Sequence, residues 1–503
     1  MDGERIIAID QGTSSIKVVA FDLTGRPIRS ASGATPVRVA GGSTMEARPG
    51  EWWRQLVRCL RWVLEDSGVP AGSVKALSLC GLLHTLVPLD ARCRPMGPVP
   101  LWADQRWELE GDPTVRDAAE LISELSSRSC VGRLGWLLQT RPEIRSRLHL
   151  LLPVKDFLRH MLTGVAATDV HEAACTGLSA TGTHQWSAEV VERLGLTPSV
   201  LPPILAPTSP AGSVSPQASE ITGLRAGTPV VVGTGDWQAA LLGSCATLPE
   251  RASLYLGTAG VLGGFSSQED LDRVDGVRCI AAVSSTGSAV DWLARLLLPA
   301  RRDRHGTAID EVARLATGSS PGAMGLVFLP HLFGERGGHL RPAATGTLAG
   351  FRLSHGRSDV ARAVLEGTAI WLRSVAAPSL AAEPVDSLIV SGGGARDPLN
   401  SVIAAAIYAK PVLIPEVVEA GALGCAVLAA IGTGLAHGCA NTASAWVRIR
   451  AVQEPEPDLV AIYREVCERF SRTEQLMRSL ERPTPDRPTQ HRSRTASPAV
   501  RTL

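Results

Sequence analysis

A carboxylate stands at the end of the first apolar run of the chain. Residues 6–9 are Ile, Ile, Ala and Ile, a pattern typical of a buried strand, and they lead into Asp10 and a Gln-Gly-Thr-Ser-Ser sequence at residues 11–15. A second apolar strand, residues 16–21, follows at once and predicts a tight hairpin. Glycine and small hydroxyl side chains at its tip leave backbone N–H groups open to a polyphosphate, and an acid beside them can hold hydrated Mg²⁺. The alternative is an ordinary hairpin with a solvated turn.

A second carboxylate follows another buried strand. Residues 229–232 read Pro-Val-Val-Val, Gly-Thr-Gly interrupts them, and Asp236 opens a helix rich in Ala and Leu. An acid held at a strand end and at a helix N-terminus stays ionised more readily, as a general base for an alcohol requires. The alternative is a simple helix cap. Trp237, beside it, either shapes a sugar pocket or only packs.

Two further glycine turns complete the pattern. A strand at residues 253–256 runs into Gly257-Thr258-Ala259-Gly260 and a further strand, repeating the layout of the first hairpin about 240 residues later. This repetition indicates two like-folded halves, each offering a phosphate turn to a shared cleft. A third strand, residues 388–390, precedes Gly392, Gly393 and Gly394 and a helix beginning near Asp397, so a flat ligand can press on that backbone. Neither the dinucleotide fingerprint nor a P-loop is present.

Other polar side chains close to strand ends are candidates for hydroxyl recognition. His84 follows a strand-like run at residues 73–83, and Asp104 and Arg106 follow a Pro-rich turn. Ligands in α/β folds lie at the carboxyl ends of strands, which favours a role for all three. A structural histidine and an Asp104–Arg106 ion pair remain the alternatives.

Composition bounds the class of protein. A chain of 503 residues with 45% hydrophobic content is too long for one core, and its net charge of +1 gives no case for nucleic acid or an acidic membrane as a partner. Ten cysteines without a Cys-x-x-Cys pair predict free thiols, and a strand starting so close to Met1 leaves no room for a signal peptide, so we expect a cytoplasmic protein. Residues 420–436 suit a buried helix better than a membrane span, and residues 202–227 predict a connector without regular elements.

The ordered set of motifs resembles the FGGY carbohydrate kinases. The matching sequences are Asp10 to Ser15, Gly235-Asp236, Gly257 to Gly260, Gly392 to Ala395 and Glu419 to Gly424. The resemblance implies an α/β chain of two actin-like, RNase H-like domains around a cleft. It places a sugar-binding domain at residues 1–247 and an ATP-binding domain at 248–480. The residues after 480 are rich in Pro, Thr, Ser and Arg with little to bury, which predicts a disordered tail at 481–503.

The resemblance also implies roles for individual residues. Asp10 would bind Mg²⁺ through water, and Asp236 would be the catalytic base. The ATP and phosphate contacts would come from Gly12, Thr13, Ser14, Lys17, Gly257, Thr258, Gly393 and Gly394. The sugar would contact His84, Asp104, Asp236 and Trp237.

The substrate is predicted less sharply than the reaction. The sequence around His84 and Asp104 looks most like xylulokinases and gluconate kinases, which makes a ketose the first expectation. Leu83 and Trp237 depart from the xylulokinase pattern, so gluconate, a heptulose and a cyclitol are alternative substrates. Two alternative hypotheses are a non-kinase ATPase with the same architecture and a nucleotide-gated binding protein. A homodimer is a further expectation, since dimers are frequent in the family.

Overall fold

The computed structural model describes residues 3–40, 44–66, 68–121, 125–180, 183–298, 307–335 and 344–480; the expected tail at 481–503 lies outside them. Its strands are β1 (Arg5–Gln11), β2 (Ser15–Phe21), β3 (Pro27–Ala34), β4 (Val37–Ala40), β5 (Thr44–Ala47), β6 (Val74–Gly81), β7 (Leu86–Leu89), β8 (Val99–Pro100), β9 (Leu150–Pro153), β10 (Thr168–Asp169), β11 (Ile204–Leu205), β12 (Pro210–Ser213), β13 (Pro229–Val231), β14 (Thr234–Gly235), β15 (Arg251–Leu256), β16 (Gly260–Phe265), β17 (Val277–Val283), β18 (Val327–Leu329), β19 (Thr347–Ala349), β20 (Ser387–Ser391), β21 (Val412–Pro415) and β22 (Ile449–Gln453). Its helices are α1 (Pro49–Arg61), α2 (Arg106–Glu110), α3 (Pro113–Glu120), α4 (Leu125–Thr140), α5 (Pro142–Arg147), α6 (Val154–Thr163), α7 (Val170–Thr176), α8 (Ala188–Arg193), α9 (Pro216–Thr222), α10 (Asp236–Gly243), α11 (Gln268–Arg273), α12 (Gly287–Leu297), α13 (Thr307–Ala316), α14 (Arg357–Ala382), α15 (Pro398–Tyr408), α16 (Ala420–Gly432), α17 (Cys439–Trp446) and α18 (Pro457–Leu480).

The first large sheet contains the predicted amino-terminal hairpin. Its order is β12-β13-β6-β1-β2-β3, and β14 also pairs with β6. β1 runs antiparallel to β2, with Asp10 opposite Lys17, and parallel to β6 on its other side. The parallel pairs β1–β6 and β14–β6 bring the carboxyl ends of three strands to one edge of the sheet. This edge is where an α/β fold places a ligand.

A second large sheet repeats the arrangement with the order β17-β16-β15-β20-β21-β22. β15 forms an antiparallel hairpin with β16 and pairs in parallel with β20, as β1 does with β2 and β6. The two like-folded halves predicted from the repeated hairpin are therefore present. Each half places one glycine-threonine turn after its central strand.

Two helices join the halves by direct backbone contact. The first turn of α10 carries Asp236, and α16 begins at Ala420, within a segment that is buried from Ala420 to Ala430. A Cβ atom on Gly243 would lie 1.9 Å from the Ala420 carbonyl oxygen, and one on Gly424 would lie 1.9 Å from the Ala239 carbonyl oxygen. Only glycine permits this approach, so the two helices cross with their backbones touching. The buried helix predicted at residues 420–436 is confirmed over Ala420–Gly432, and residues 433–436 lie beyond its end.

The connector predicted at residues 202–227 is wrong in part. β12 pairs antiparallel with β13 at the edge of the first sheet, and α9 begins after Ser215, whose hydroxyl accepts the Ala218 N–H. β12 has four residues and α9 has seven, so both are too short to show the apolar periodicity that identifies longer elements. Their pairing partners lie elsewhere in the chain, where local sequence gives no sign of them.

Candidate active site

Three candidate residues come together at the edge of the first sheet. Asp10 on β1 is paired with Cys80 of β6, and Gly235 on β14 is paired with Gly81, the next residue of β6. β1, which carries Asp10, and β14, which directly precedes Asp236, therefore flank β6, and their backbones are about 10 Å apart, two strand spacings. His84 follows three residues after the end of β6. A sugar hydroxyl and a phosphoryl group can meet between two carboxylates at this spacing.

Asp236 is the first residue of α10 but not its cap. Gly235 occupies the cap position without a side chain to bond the helix, and Asp236 Oδ1 accepts the N–H of Trp237 at 2.7 Å. Burial raises the pKa of the Asp236 carboxyl to about 7, and the charge of Asp10 adds to the rise. A pKa close to the working pH is what a general base needs, because the group can both hold and release a proton.

The raised pKa predicts how stability depends on pH. The unfolded chain releases the Asp236 proton near 3.8, whereas the folded protein holds it up to about pH 7. Rising pH between these values therefore lowers the free energy of unfolding, and the loss is complete above pH 7. We expect Asp236→Asn to stabilise the ligand-free protein by about 1–3 kcal/mol at pH 8, after allowance for partial solvent screening, and by less at pH 5. Urea unfolding of both proteins at the two pH values measures this, and an equal difference at both would contradict it.

The surroundings of Asp10 suit a hydrated divalent cation. Burial raises the pKa of Asp10, with the Lys17 charge opposing the rise. Gly421, in the first turn of α16, lies so close that a Cβ there would be 3.2 Å from Asp10 Oδ2. Burial disfavours the charged form of both Asp10 and Asp236, and the charge of Asp10 adds to this effect at Asp236. A cation bound at Asp10 would offset both contributions. No cluster of three His, Cys, Asp or Glu that could hold a metal ion occurs among the residues described.

The first predicted phosphate turn is firmly held but keeps donors. The Gly12 N–H donates to the Ser15 carbonyl at 2.9 Å, and the Thr13 hydroxyl oxygen accepts the indole N–H of Trp102 at 3.1 Å. Thr13 thus retains its own hydroxyl hydrogen for a ligand. Ser14, at the tip, is exposed. Phosphate contact by Gly12, Thr13, Ser14 and Lys17 stays a prediction that this arrangement supports.

The other two glycine turns lie side by side, because β15 and β20 are parallel neighbours. The Gly257 carbonyl accepts the Thr286 hydroxyl at 2.9 Å, and the Thr258 carbonyl accepts the Thr286 N–H at 3.1 Å, which ties this turn to the start of α12. At the third turn, Gly392 has a φ of +81°, and a Cβ on Gly394 would lie 2.7 Å from Leu256.

The three glycines of the third turn have different roles. Gly392 and Gly394 are needed where this turn packs on the end of β15, whereas a Cβ on Gly393 would meet nothing within 4 Å. The open backbone that we expected at all three positions is therefore confined to Gly393. Adenosine contact by Gly393 and Gly394 stays a prediction.

His84 is held in an uncommon conformation. Its φ of 58° lies in the left-handed region, which non-glycine residues adopt rarely and most often at functional sites. Its Nδ1 lies 2.7 Å from the Cys175 carbonyl oxygen, and its own carbonyl accepts a hydrogen bond from Arg133 at 2.9 Å. The first contact orients the ring, and the second holds the backbone of His84, three residues beyond the end of β6. Sugar contact by His84 stays a prediction.

Asp104 and Trp237 make mainly internal contacts. Asp104 is fully buried, its oxygens accept bonds from Arg106 and from the Met45 N–H, and Arg106 also bonds Glu46 at 2.9 Å. The ion-pair alternative is thus present, and sugar contact by Asp104 remains a prediction. The indole of Trp237 reaches β16, where a Cβ on Gly263 would lie 2.8 Å from it. Packing is therefore one role of Trp237, and a role in the sugar pocket is still a prediction.

A buried charge network behind the site was missed from the sequence. Lys155 Nζ lies 2.6 Å from Asp156 and 2.9 Å from Asp169, and all three side chains are fully buried. Asp169 also accepts the Thr234 hydroxyl at 3.0 Å, two residues before Asp236. The network therefore fixes the strand that delivers Asp236. Its one sequence signal is the Lys-Asp pair inside an otherwise apolar helix start.

Comparison with protein families decides the class. The N-terminal domain of the FGGY family of carbohydrate kinases matches residues 5–243, and the C-terminal domain of the same family matches residues 234–433. The chain belongs to the FGGY family of carbohydrate kinases. The predicted fold of two actin-like domains and the predicted kinase activity on a small-molecule sugar are thereby confirmed, with ATP as the family's phosphate donor. The boundary at residues 247 and 248 stays a prediction.

Individual relatives of this FGGY kinase differ in their substrates. Xylulose kinase from Streptomyces rubiginosus is 32% identical over 447 residues, covering 85% of this chain and 88% of the relative. Autoinducer-2 kinase from Salmonella choleraesuis is 27% identical over 521 residues, covering 95% of each chain. The crystal structure of gluconate kinase from Lactobacillus acidophilus aligns with a TM-score of 0.78 at 21% identity, over 95% of this chain and 99% of that one, and supports the fold. Among the helices that the structure describes, none is long and apolar enough to cross a membrane.

Proposed function

We propose that this carbohydrate kinase phosphorylates a ketose with ATP and Mg²⁺, in the manner of a xylulokinase. The proposal depends on the Asp236 carboxyl, which does not cap the helix and has a pKa of about 7. Asp236 follows β14 at the same end of the first sheet as Asp10 and His84. A structural helix cap would need no raised pKa and no facing acid. A base that must accept a proton from a sugar hydroxyl needs both an ionisable carboxyl and a rigid position.

In this mechanism the residues of the chain position the reactants and move one proton. Asp236 accepts the proton of the sugar hydroxyl as that oxygen bonds to the γ-phosphorus, and the bond from the γ-phosphorus to the bridging oxygen of ADP breaks. The Thr13 hydroxyl and the N–H and hydroxyl groups of Thr258 donate to the phosphoryl oxygens, and Gly12, whose N–H is bonded to the Ser15 carbonyl, leaves room for them beside the first turn. Phosphoryl transfer depends on such in-line placement and charge stabilisation.

Asp10 is the residue that would hold Mg²⁺ through water. The metal, when bound, neutralises charge on the phosphate oxygens. Lys17, opposite Asp10 in the hairpin, adds a second positive charge at the same turn. The Lys155–Asp169–Thr234 network keeps the strand before Asp236 in place while charge develops in front of it.

The ketose is favoured because three features agree. His84 follows β6 at the sugar side of the site, the sequence around it resembles xylulokinases, and a relative named xylulose kinase is 32% identical over most of both chains. Gluconate, a heptulose and a cyclitol are the remaining candidate substrates.

We also propose that the enzyme is cytoplasmic, in keeping with ten cysteines that form no disulfide bond. We further propose a homodimer, which sedimentation would test.

A substrate panel tests the proposal. We expect ADP release in the presence of MgATP to depend on a ketopentose and to rise at least about tenfold over the rate with ATP alone, because closure on the sugar excludes water as the acceptor. The panel includes ketopentoses, ketoheptoses, gluconate, polyols, cyclitols and autoinducer-2. ADP release that no sugar stimulates would contradict the kinase proposal, and stimulation by another member only would replace the ketose.

A further inference from the structure

The second hairpin carries a tyrosine where the first carries its acid. Asp10-Gln11-Gly12-Thr13 ends β1, and Tyr255-Leu256-Gly257-Thr258 ends β15. Both strands have an antiparallel partner on one side and a parallel partner on the other. Tyr255 therefore holds in the second half the position that Asp10 holds in the first. Sequence reasoning passed over it because an aromatic residue in a strand usually belongs to the core.

The ring of Tyr255 lies on the two glycine turns that face the nucleotide. A Cβ on Gly257 would lie 2.5 Å from Cε1 of the ring and 2.9 Å from the phenolic oxygen. A Cβ on Gly392 would lie 3.2 Å from Cε2 on the other side of the ring. The hydroxyl group is thus at the Gly257-Thr258 turn, and it forms no hydrogen bond with any other residue in the described part of the chain.

The two carboxylates of the site act on Tyr255 from the first domain. Burial raises the pKa of Tyr255 well above its ordinary value, and the charges of Asp236 and Asp10 raise it further. The phenol is therefore a donor at neutral pH, in a place where Asp10, its counterpart, is an acceptor. A tyrosine kept only for packing would gain nothing from a hydroxyl without a hydrogen-bond partner among the described residues at the Gly257-Thr258 turn, since phenylalanine has nearly the same volume.

We propose that Tyr255 is a further catalytic residue, whose hydroxyl donates a hydrogen bond to a non-bridging oxygen of the transferred phosphoryl group. The inference rests on the proposed function. Tyr255 keeps its proton throughout, while Asp236 takes the proton of the sugar hydroxyl and ADP leaves. A donor aimed at oxygens that share charge in the transition state strengthens as that charge spreads.

The test removes the hydroxyl and keeps the ring. We expect Tyr255→Phe to lower kcat about 10-fold to 100-fold with little change in the KM of the sugar. Affinity for ADP alone should stay within about twofold, whereas affinity for ADP with orthovanadate, measured by calorimetry, should fall by a factor similar to that in kcat. Tyr408→Phe is the matched control, because Tyr408 lies at the far end of α15 with its hydroxyl buried.

The outcomes separate the inference from the proposed function. Unchanged kcat and unchanged affinity for ADP with orthovanadate in Tyr255→Phe would overturn the role of Tyr255 while sugar-dependent ADP release still supports the kinase. If the wild-type protein releases no ADP with any sugar, the proposed function fails, and the orthovanadate comparison still decides whether Tyr255 contacts the phosphoryl group. Equal losses for ADP alone and for ADP with orthovanadate would reduce Tyr255 to a nucleotide-packing residue and also overturn the inference.

Discussion

Asp236→Asn is expected to lower the turnover of the sugar kinase reaction at least about a hundredfold while sugar binding is retained. The amide has the shape of the carboxylate and can still accept the Trp237 N–H through its oxygen, but it cannot take a proton from the sugar hydroxyl. Steady-state turnover and sugar affinity by calorimetry measure the two parts separately. The same variant should be more stable than the wild type at pH 8, so loss of activity cannot be ascribed to unfolding.

The control for this variant is an acid away from the cleft. Asp291 on α12 is exposed and pairs with Arg295, so Asp291→Asn removes one negative charge without touching the site. Its turnover should stay within about twofold of the wild type. Near-normal turnover of Asp236→Asn would remove Asp236 from the role of base.

Gly424→Ala is expected to cost about 3 kcal/mol or more of unfolding free energy. The new methyl group would need the space of the Ala239 carbonyl oxygen, which lies 1.9 Å from the Cβ position and belongs to the backbone of α10. Because neither helix can yield locally, the two halves of the protein must move apart. Since Asp236 begins α10, activity should fall together with stability. Thermal and urea unfolding with parallel turnover assays measure both effects.

Gly50→Ala is the matched control for the helix crossing. Gly50 is also helical, in the first turn of α1, and a Cβ there would meet nothing within 4 Å. Alanine favours a helix over glycine by about 1 kcal/mol, so this variant should be as stable as the wild type or more stable. Equal stability of the two alanine variants would show that the crossing of α10 and α16 tolerates the extra volume.

The parts of the site that sequence could predict are those written in consecutive residues. Asp10 ends an apolar run and precedes a glycine turn, whereas Asp236 follows an apolar run and a glycine turn. In both places the strand, the turn and the acid can be recognised together. The repeated hairpin indicated two similar halves for the same reason. Local patterns of this kind survive in any fold that uses them.

The parts that could not be predicted depend on residues far apart in the chain. Lys155 meets Asp169, and Asp169 meets Thr234, only after β10 and β14 have been placed. The Lys-Asp pair at residues 155 and 156 does not reveal these distant partners. The sequence left open whether Asp104 recognises a ligand or pairs with Arg106. In the structure Asp104 is buried and forms an ion pair with Arg106. The repeated hairpin was visible in the sequence, but an aromatic residue in a strand suggests the core, and the place of Tyr255 at the two glycine turns appears only once β15 and β20 are paired.

The contact between α10 and α16 also restricts which motions the protein can make. Gly243 touches the Ala420 carbonyl and Gly424 touches the Ala239 carbonyl, so the backbones of the two helices cannot slide along each other. Asp236 begins α10, and Gly421 in the first turn of α16 lies beside Asp10. The relative position of the two acids is therefore coupled to the packing of this helix pair. A substitution that separates the helices should disturb both acids at once.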